Sequence, residues 1–264
     1  MLTVTPIPAF SNNYLWLITH STSSCSYIVD PGDGQAVYET LKKRNLQLSG
    51  ILITHRHYDH INGIDDLLKY YQQENSIIVY GPDSPYIPQI THKLYQGDQI
   101  TLFDHYLFTI FETPGHTSEH ICYFSKDTLK MPVLFCGDTL FSAGCGRVMD
   151  KDPEALYRSL SVLAELPDNT QVYCAHEYTL NNLHFAQAVE PKNTHIRQRI
   201  QEVQQLRQQG IPSLPSCIAI EKQTNPFMRT TQQSIYQSVA DYWGTQYANA
   251  CELFVDLRRW KDEF

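Results

Sequence analysis

Leu52-Ile53-Thr54-His55-Arg56-His57-Tyr58-Asp59-His60 is the stretch that decides how this 264-residue chain is read. Leu52 and Ile53 close a run, Ser49 to Ile53, whose β-branched and apolar side chains mark a buried strand. Polar residues follow at once, with three imidazoles and one carboxylate between His55 and His60. That density at a strand end is awkward for a core and natural for a metal site. Alternation aims His55 and His57 the same way, while Asp59 and His60 turn into the start of the next helix. One short loop can thus feed two neighbouring cations.

Working outward, the same placement recurs. Further strands are expected at Tyr14 to Ile18, Ser26 to Val29, Ile77 to Tyr80, Tyr106 to Glu112, Ile121 to Phe124, Val133 to Cys136 and Gln171 to Cys174. His116 follows Thr113-Pro114-Gly115 after one of them, Asp138 follows Cys136-Gly137 after another, and His176 follows Cys174-Ala175 after the last. Each is preceded by a small residue that lets the backbone turn. In layered α/β folds this edge is where loops converge to build sites. Alone, His116 or His176 would read as a capping or surface histidine and Asp138 as ordinary turn chemistry. The force of the reading lies in the set. His20, His92, His105, His120, His184 and His195 have no such company and are taken as structural or surface residues.

Helices are expected at Gln35 to Lys43, Ile64 to Gln72 and Pro153 to Leu166, the last with Asp152 as N-cap and Pro153 at the first helical position. Beyond Glu177 the texture changes to helix-favouring segments: Tyr178 to Val189, His195 to Gln209 and Thr231 to Tyr242. No convincing strand follows Cys174, and the Pro-rich Ile211 to Cys217 reads as a loop between helices. The expected organisation is an α/β domain over residues 1–176 and a smaller all-helical domain over 177–264.

Composition excludes several classes. With 42% hydrophobic and 18% charged residues the chain is an ordinary globular protein. A net charge of −8 supplies no field for nucleic acid, so an anionic ligand would need a local cluster of Arg and Lys. Cys25, Cys122, Cys136, Cys145, Cys174, Cys217 and Cys251 lack CxxC spacing, which points to reduced thiols in a cytosol-like compartment. No apolar run approaches the ~18 residues of a membrane span, and the N-terminus lacks a signal-peptide pattern. The expectation is a cytoplasmic monomer with no nucleic-acid or membrane partner.

THRHYDH, TPGHTSEH, FCGDTLF and AHEYT resemble, in order and spacing, the metallo-β-lactamase superfamily. HEYTLNNLHFA, VEPKN, PSLPS, KQTNPFMR and the terminal RRWKDEF narrow the resemblance to the glyoxalase II (hydroxyacylglutathione hydrolase) family. The resemblance covers essentially the whole chain. It implies an αββα sandwich with a dinuclear site at one edge, followed by a helical domain that helps bind glutathione. His55, His57 and His116 would hold one metal, Asp59, His60 and His176 the other, and Asp138 would bridge them. Zinc suits this donor set, with iron or manganese as alternatives. Two such cations lower the pKa of a shared water to around 7, so that hydroxide can attack the thioester carbonyl of S-D-lactoylglutathione in methylglyoxal detoxification. Asp59 and Asp138 would be the catalytic carboxylates, and no protein nucleophile is required.

Substrate recognition falls, by the same resemblance, to Arg147, Tyr178, Arg258 and Lys261. Without it, Arg258 and Lys261 would read as a solvated basic tail. Two departures stand out: Met149 occupies a position where many relatives carry a tyrosine, and Asn62 one often taken by glycine. The competing functions are a lactone or β-lactam hydrolase of the same superfamily and a mononuclear-iron glutathione-persulfide dioxygenase.

Overall fold

A computed structural model describes residues 1–71, 77–126 and 131–264. By compactness it divides into two units, Met1–Glu112 with Glu119–Gly137 and Thr113–Ser118 with Asp138–Phe264.

The first unit runs β1 (Leu2–Ala9), β2 (Asn13–His20), β3 (Cys25–Val29), α1 (Gly34–Arg44), β4 (Gln47–Leu52), α2 (Tyr58–Ile61), α3 (Ile64–Tyr70), β5 (Ile78–Pro82), β6 (His92–Leu94), β7 (Gln99–Leu102), β8 (Tyr106–Glu112), β9 (Ile121–Ser125) and β10 (Val133–Gly137). Gln72, the expected end of the third helix, lies outside the described residues. Strands β1 to β6 form one sheet in sequence order. Its β1–β2–β3 part is antiparallel, and β3 through β6 are parallel. Strands β7 to β10 form an antiparallel meander.

Strand β2 is buried along nearly its whole length, so both faces of the first sheet are covered. Leu15, Leu17, Ile28, Ile51, Ile53 and Val79 meet Val37 and Leu41 of α1 and Ile64 and Leu67 of α3 on one side. The meander meets the first sheet elsewhere: the Tyr123 hydroxyl donates to the Ile53 carbonyl at 2.7 Å, and Tyr27 meets Phe103 edge-on at 5.0 Å. Helix α1 is well specified locally. The Asp33 side chain accepts from the Ala36 N–H at its start, and Lys42, Lys43 and Arg44 complement the dipole at its end.

Strand β1 is not among the expected strands, and it carries Pro6 and Pro8. It stands at the edge of its sheet, where the missing N–H groups break no second ladder.

The second unit contains β11 (Leu140–Phe141), β12 (Gly144–Cys145), α4 (Pro153–Ala164), β13 (Gln171–Cys174), α5 (Thr179–Val189), α6 (Thr194–Gln208), β14 (Ser216–Cys217), α7 (Ile218–Thr224), α8 (Gln233–Trp243) and α9 (Ala250–Glu263). Asp152 caps α4 through the Ala155 N–H, with Pro153 in the first turn, as its sequence requires. A strand does follow Cys174: β14, inside the expected loop, pairs antiparallel with β13 over two residues. The basic terminus is no solvated tail. In α9, Leu253, Phe254 and Leu257 are fully buried, each worth about 1.5–3 kcal/mol of transfer free energy. Phe254 packs on Phe227, which stacks on Phe185, and Trp260 meets Phe185 edge-on. Among the described residues no helix is long and apolar enough to cross a membrane.

Candidate metal site and substrate cleft

In the first unit, Thr54 and His55 follow β4 and are wholly buried. His57 is extended (φ −65°, ψ 146°) and stands as the N-cap of the short helix α2, which carries Asp59 and His60. His55 Nε2 and His57 Nδ1 lie 3.0 Å apart. Two nitrogens on one tetrahedral zinc, each at 2.0–2.1 Å, would stand about 3.3 Å apart, so the pair is set for a single cation. Asp30, just after β3, organises these residues. Its carboxylate accepts from the Thr54 N–H (2.8 Å) and the Thr54 hydroxyl (2.7 Å), and it lies 3.0 Å from His60 Nδ1. An ionised carboxylate only accepts, so His60 carries its proton on Nδ1 and leaves Nε2 for a ligand role. Asp59 Oδ2 accepts from the Asn13 amide at 2.8 Å, which orients it in turn.

The second unit holds a donor set of its own. His116 Nδ1 donates to the Arg147 carbonyl at 2.7 Å, which again fixes the tautomer and frees Nε2. That Nε2 lies 3.5 Å from Asp138 Oδ2, and His176 Nε2 lies 3.4 Å from Asp138 Oδ1. One carboxylate therefore offers a separate oxygen to each of two imidazoles, the arrangement a bridging ligand requires. His176 stacks on Tyr178 with ring centroids 4.7 Å apart and planes 3° from parallel, and Phe141 closes on it edge-on at 5.8 Å. The turns before His116 and Asp138 do demand glycine, since Gly115 has φ +135° and Gly137 has φ +45°.

A cleft of about 390 Å³ in the same unit is lined by His116, Asp138, Arg147, Tyr178, Arg258 and Lys261, with the half-exposed Met149 at its margin. Arg258 is buried, its guanidinium 5.0 Å above the Phe227 ring, and Nη1 donates to the Cys145 carbonyl at 3.2 Å. Lys261 is held between Phe185 and Phe264, and burial with the neighbouring Arg258 pushes its pKa down to about 8. Arg147 stays solvent-exposed. A larger hollow of about 680 Å³ lies around Glu190 and Arg229, but there the carboxylate is already satisfied by Arg229, Ser234 and Asn193.

The sequence profile of the metallo-β-lactamase superfamily matches residues 10–176, and that of the hydroxyacylglutathione hydrolase C-terminus matches residues 177–264. The hydroxyacylglutathione hydrolase of Shewanella halifaxensis (strain HAW-EB4) is 47% identical over 265 residues, covering 100% of each chain. The chain belongs to the hydroxyacylglutathione hydrolase family. The Aliivibrio fischeri (strain MJ11) member of that family is 45% identical, again over the full length of both chains. Among solved structures, ETHE1 from Myxococcus xanthus is similar in fold, with a TM-score of 0.64, 22% identity and 98% of each chain covered. The fold class expected from sequence is the family's: an α/β metallo-β-lactamase domain followed by a helical C-terminal domain. A divalent-metal site goes with that fold and with the His/Asp clusters, among them Asp30, His55 and His60, whose ligand atoms lie within 4.8 Å of one another.

Sequence reasoning missed several supporting residues. Asp30 ends a strand as the expected ligands do, in Val29-Asp30-Pro31-Gly32, and that placement was its signal. His120, read as structural, is wholly buried and stacked on His55 at 4.8 Å. Glu221, Asn225 and Asn182 clamp the hairpin β11–β12. Glu221 accepts from the Ala143 N–H (2.7 Å), Asn225 donates to the Phe141 and Gly144 carbonyls, and Asn182 donates to that of Ser142. Nothing in the sequence alone pairs those residues with the hairpin.

Proposed function

We propose that the protein hydrolyses S-D-lactoylglutathione to D-lactate and glutathione, the thioester step of methylglyoxal disposal. The observation that carries this reading is a two-sided carboxylate beside a cationic cleft in one unit. Asp138 presents one oxygen toward His116 and one toward His176, while Arg258 and Lys261 line the same cleft.

The donor set fits two divalent cations, zinc first, with iron or manganese as alternatives. His55, His57 and His116 would hold one, Asp59, His60 and His176 the other, and Asp138 both. When bound, the cations supply Lewis-acid activation of water and of the thioester carbonyl. The chain's own residues do the rest. Arg258, Lys261 and Arg147 bind the carboxylates of the glutathione moiety, and Tyr178 donates its hydroxyl. Asp30 and the Arg147 carbonyl hold His60 and His116 in the tautomer with Nε2 open. Cys136 and Cys174 take no part: both are buried, and burial raises the Cys174 thiol pKa well above its usual range, so it stays protonated. Met149 offers no hydroxyl at the cleft margin, a loss of about 0.5–1.5 kcal/mol relative to a tyrosine hydrogen bond. We read residues 1–176 as the catalytic domain and 177–264 as the substrate-binding domain of a cytoplasmic monomer.

Metal-loaded protein should hydrolyse S-D-lactoylglutathione in preference to a lactone or a β-lactam, and the reverse preference overturns the reading. One iron per chain with oxygen uptake would instead favour a persulfide dioxygenase.

A further inference from the structure

An acid stands among the cations of an anion-binding cleft. Asp262, in the last turn of α9, accepts with one oxygen from two guanidiniums: Arg147 Nε at 3.2 Å and Arg258 Nη2 at 3.1 Å. The two arginines come from different elements, Arg258 one turn earlier on the same helix and Arg147 from the segment after β12. Lys261 is the immediate neighbour in sequence. Three positive side chains on one cleft repel one another, and the pKa of Lys261, lowered first by burial, is lowered further by Arg258.

Asp262 relieves the crowding without filling the binding positions. Its bond to Arg147 uses Nε and spends neither terminal nitrogen. On Arg258 it uses one N–H of Nη2, while Nη1 donates to the Cys145 carbonyl, so the second N–H of Nη2 is left for a ligand. Both guanidiniums are therefore held in place with donors to spare.

We propose that Asp262 is a positioning residue that fixes the spacing of Arg147 and Arg258, and so sets the preference for a thioester whose thiol half carries peptide carboxylates. This inference rests on the glutathione-thioester reading above. A side chain that only repelled the substrate would have no reason to grip both arginines at once.

The test compares kcat/KM for S-D-lactoylglutathione with kcat/KM for the lactoyl thioester of N-acetylcysteamine, which has no carboxylate. The measured quantity is their ratio, in the wild type, Asp262→Asn and Asp262→Glu. The asparagine variant keeps the shape but loses the charge, and its ratio should fall about tenfold, as expected for one charge-assisted contact. The glutamate variant restores the charge on a longer arm and should fall less. An undiminished or raised ratio in the asparagine variant overturns the inference, a raised one meaning that the acid merely repels. If circular dichroism shows that variant unfolded, the glutamate variant carries the test, and a wild-type ratio there overturns it. A wild type with no preference between the two thioesters would sink the glutathione reading itself, together with this inference.

Discussion

Asp30→Asn is the substitution whose consequence can be followed furthest. Asp30 is buried and has φ +50°, a left-handed conformation that asparagine tolerates nearly as well as aspartate, so the backbone need not move. One oxygen of the carboxylate faces the Thr54 N–H at 2.8 Å, and asparagine keeps that bond through its carbonyl. The other oxygen faces both the Thr54 hydroxyl at 2.7 Å and His60 Nδ1 at 3.0 Å. The new amide NH₂ falls there, and it donates. The Thr54 hydroxyl adapts by rotating its hydrogen. His60 adapts only by shifting its proton from Nδ1 to Nε2, which removes the lone pair a cation would use. Loss of such an orienting carboxylate costs roughly 10- to 100-fold in metal affinity, about 1.4–2.7 kcal/mol. The metal-free protein should lose about 1–3 kcal/mol as well, because a buried charged acceptor is replaced by a neutral group. Competition against a chromophoric chelator measures the first effect, and thermal melts in excess EDTA measure the second. Metal affinity and turnover equal to wild type would refute the chain from Asp30 through the His60 tautomer to the metal.

Asp138→Ala removes both oxygens facing His116 and His176, so metal per chain and turnover should fall together; near-normal activity would end the dinuclear proposal. Arg258→Ala should raise KM about tenfold or more while kcat moves far less, since the lost contact is worth roughly 1.5–3 kcal/mol in ground and transition state alike. Equal losses in kcat and kcat/KM would instead place Arg258 in the chemical step. For Lys261, with its pKa pushed down to about 8, the charged form is lost as pH rises through that value, so KM for the anionic thioester should climb above about pH 8. The groups facing it are Arg258, Asp262 and Cys145, and Lys261→Gln should flatten the climb. For stability the sign runs the other way. Between about 8 and the usual lysine value the unfolded chain binds more protons, so this group's contribution favours folding increasingly with pH across that window, visible as a difference in melting temperature between wild type and Lys261→Gln.

How much of this was legible beforehand follows from what each residue's role depends on. The strands that run up to His55, Asp138 and His176 were readable because a β-rich run followed at once by a donor is a local pattern. The clamp on β11–β12 was not, because Glu221 lies 78 positions from Ala143 and only the fold brings them to 2.7 Å. Strand β1 carries two prolines, whose cost depends on edge position, a property of the sheet and not of the segment. The terminal helix was not read from its own segment for a related reason: Phe254 signals burial only if something apolar waits for it, and Phe227, stacked on Phe185, supplies it.

On the proposed reading, the same terminal helix would let a chain of net charge −8 bind an anionic thioester. Long-range attraction is unfavourable, so recognition must come from short-range, partly desolvated contacts, where local placement outweighs total charge. Burying Arg258 over Phe227 and Lys261 between Phe185 and Phe264 gives this placement, at the cost of destabilising the lysine's own charge. An incoming carboxylate relieves that cost, and its binding should draw a proton onto Lys261 at pH above about 8. Calorimetry of glutathione binding in two buffers of different ionisation enthalpy would register that proton at pH 8.5 and much less of it at pH 6.5. Equal uptake at both values would mean that Lys261 is not the group the ligand neutralises.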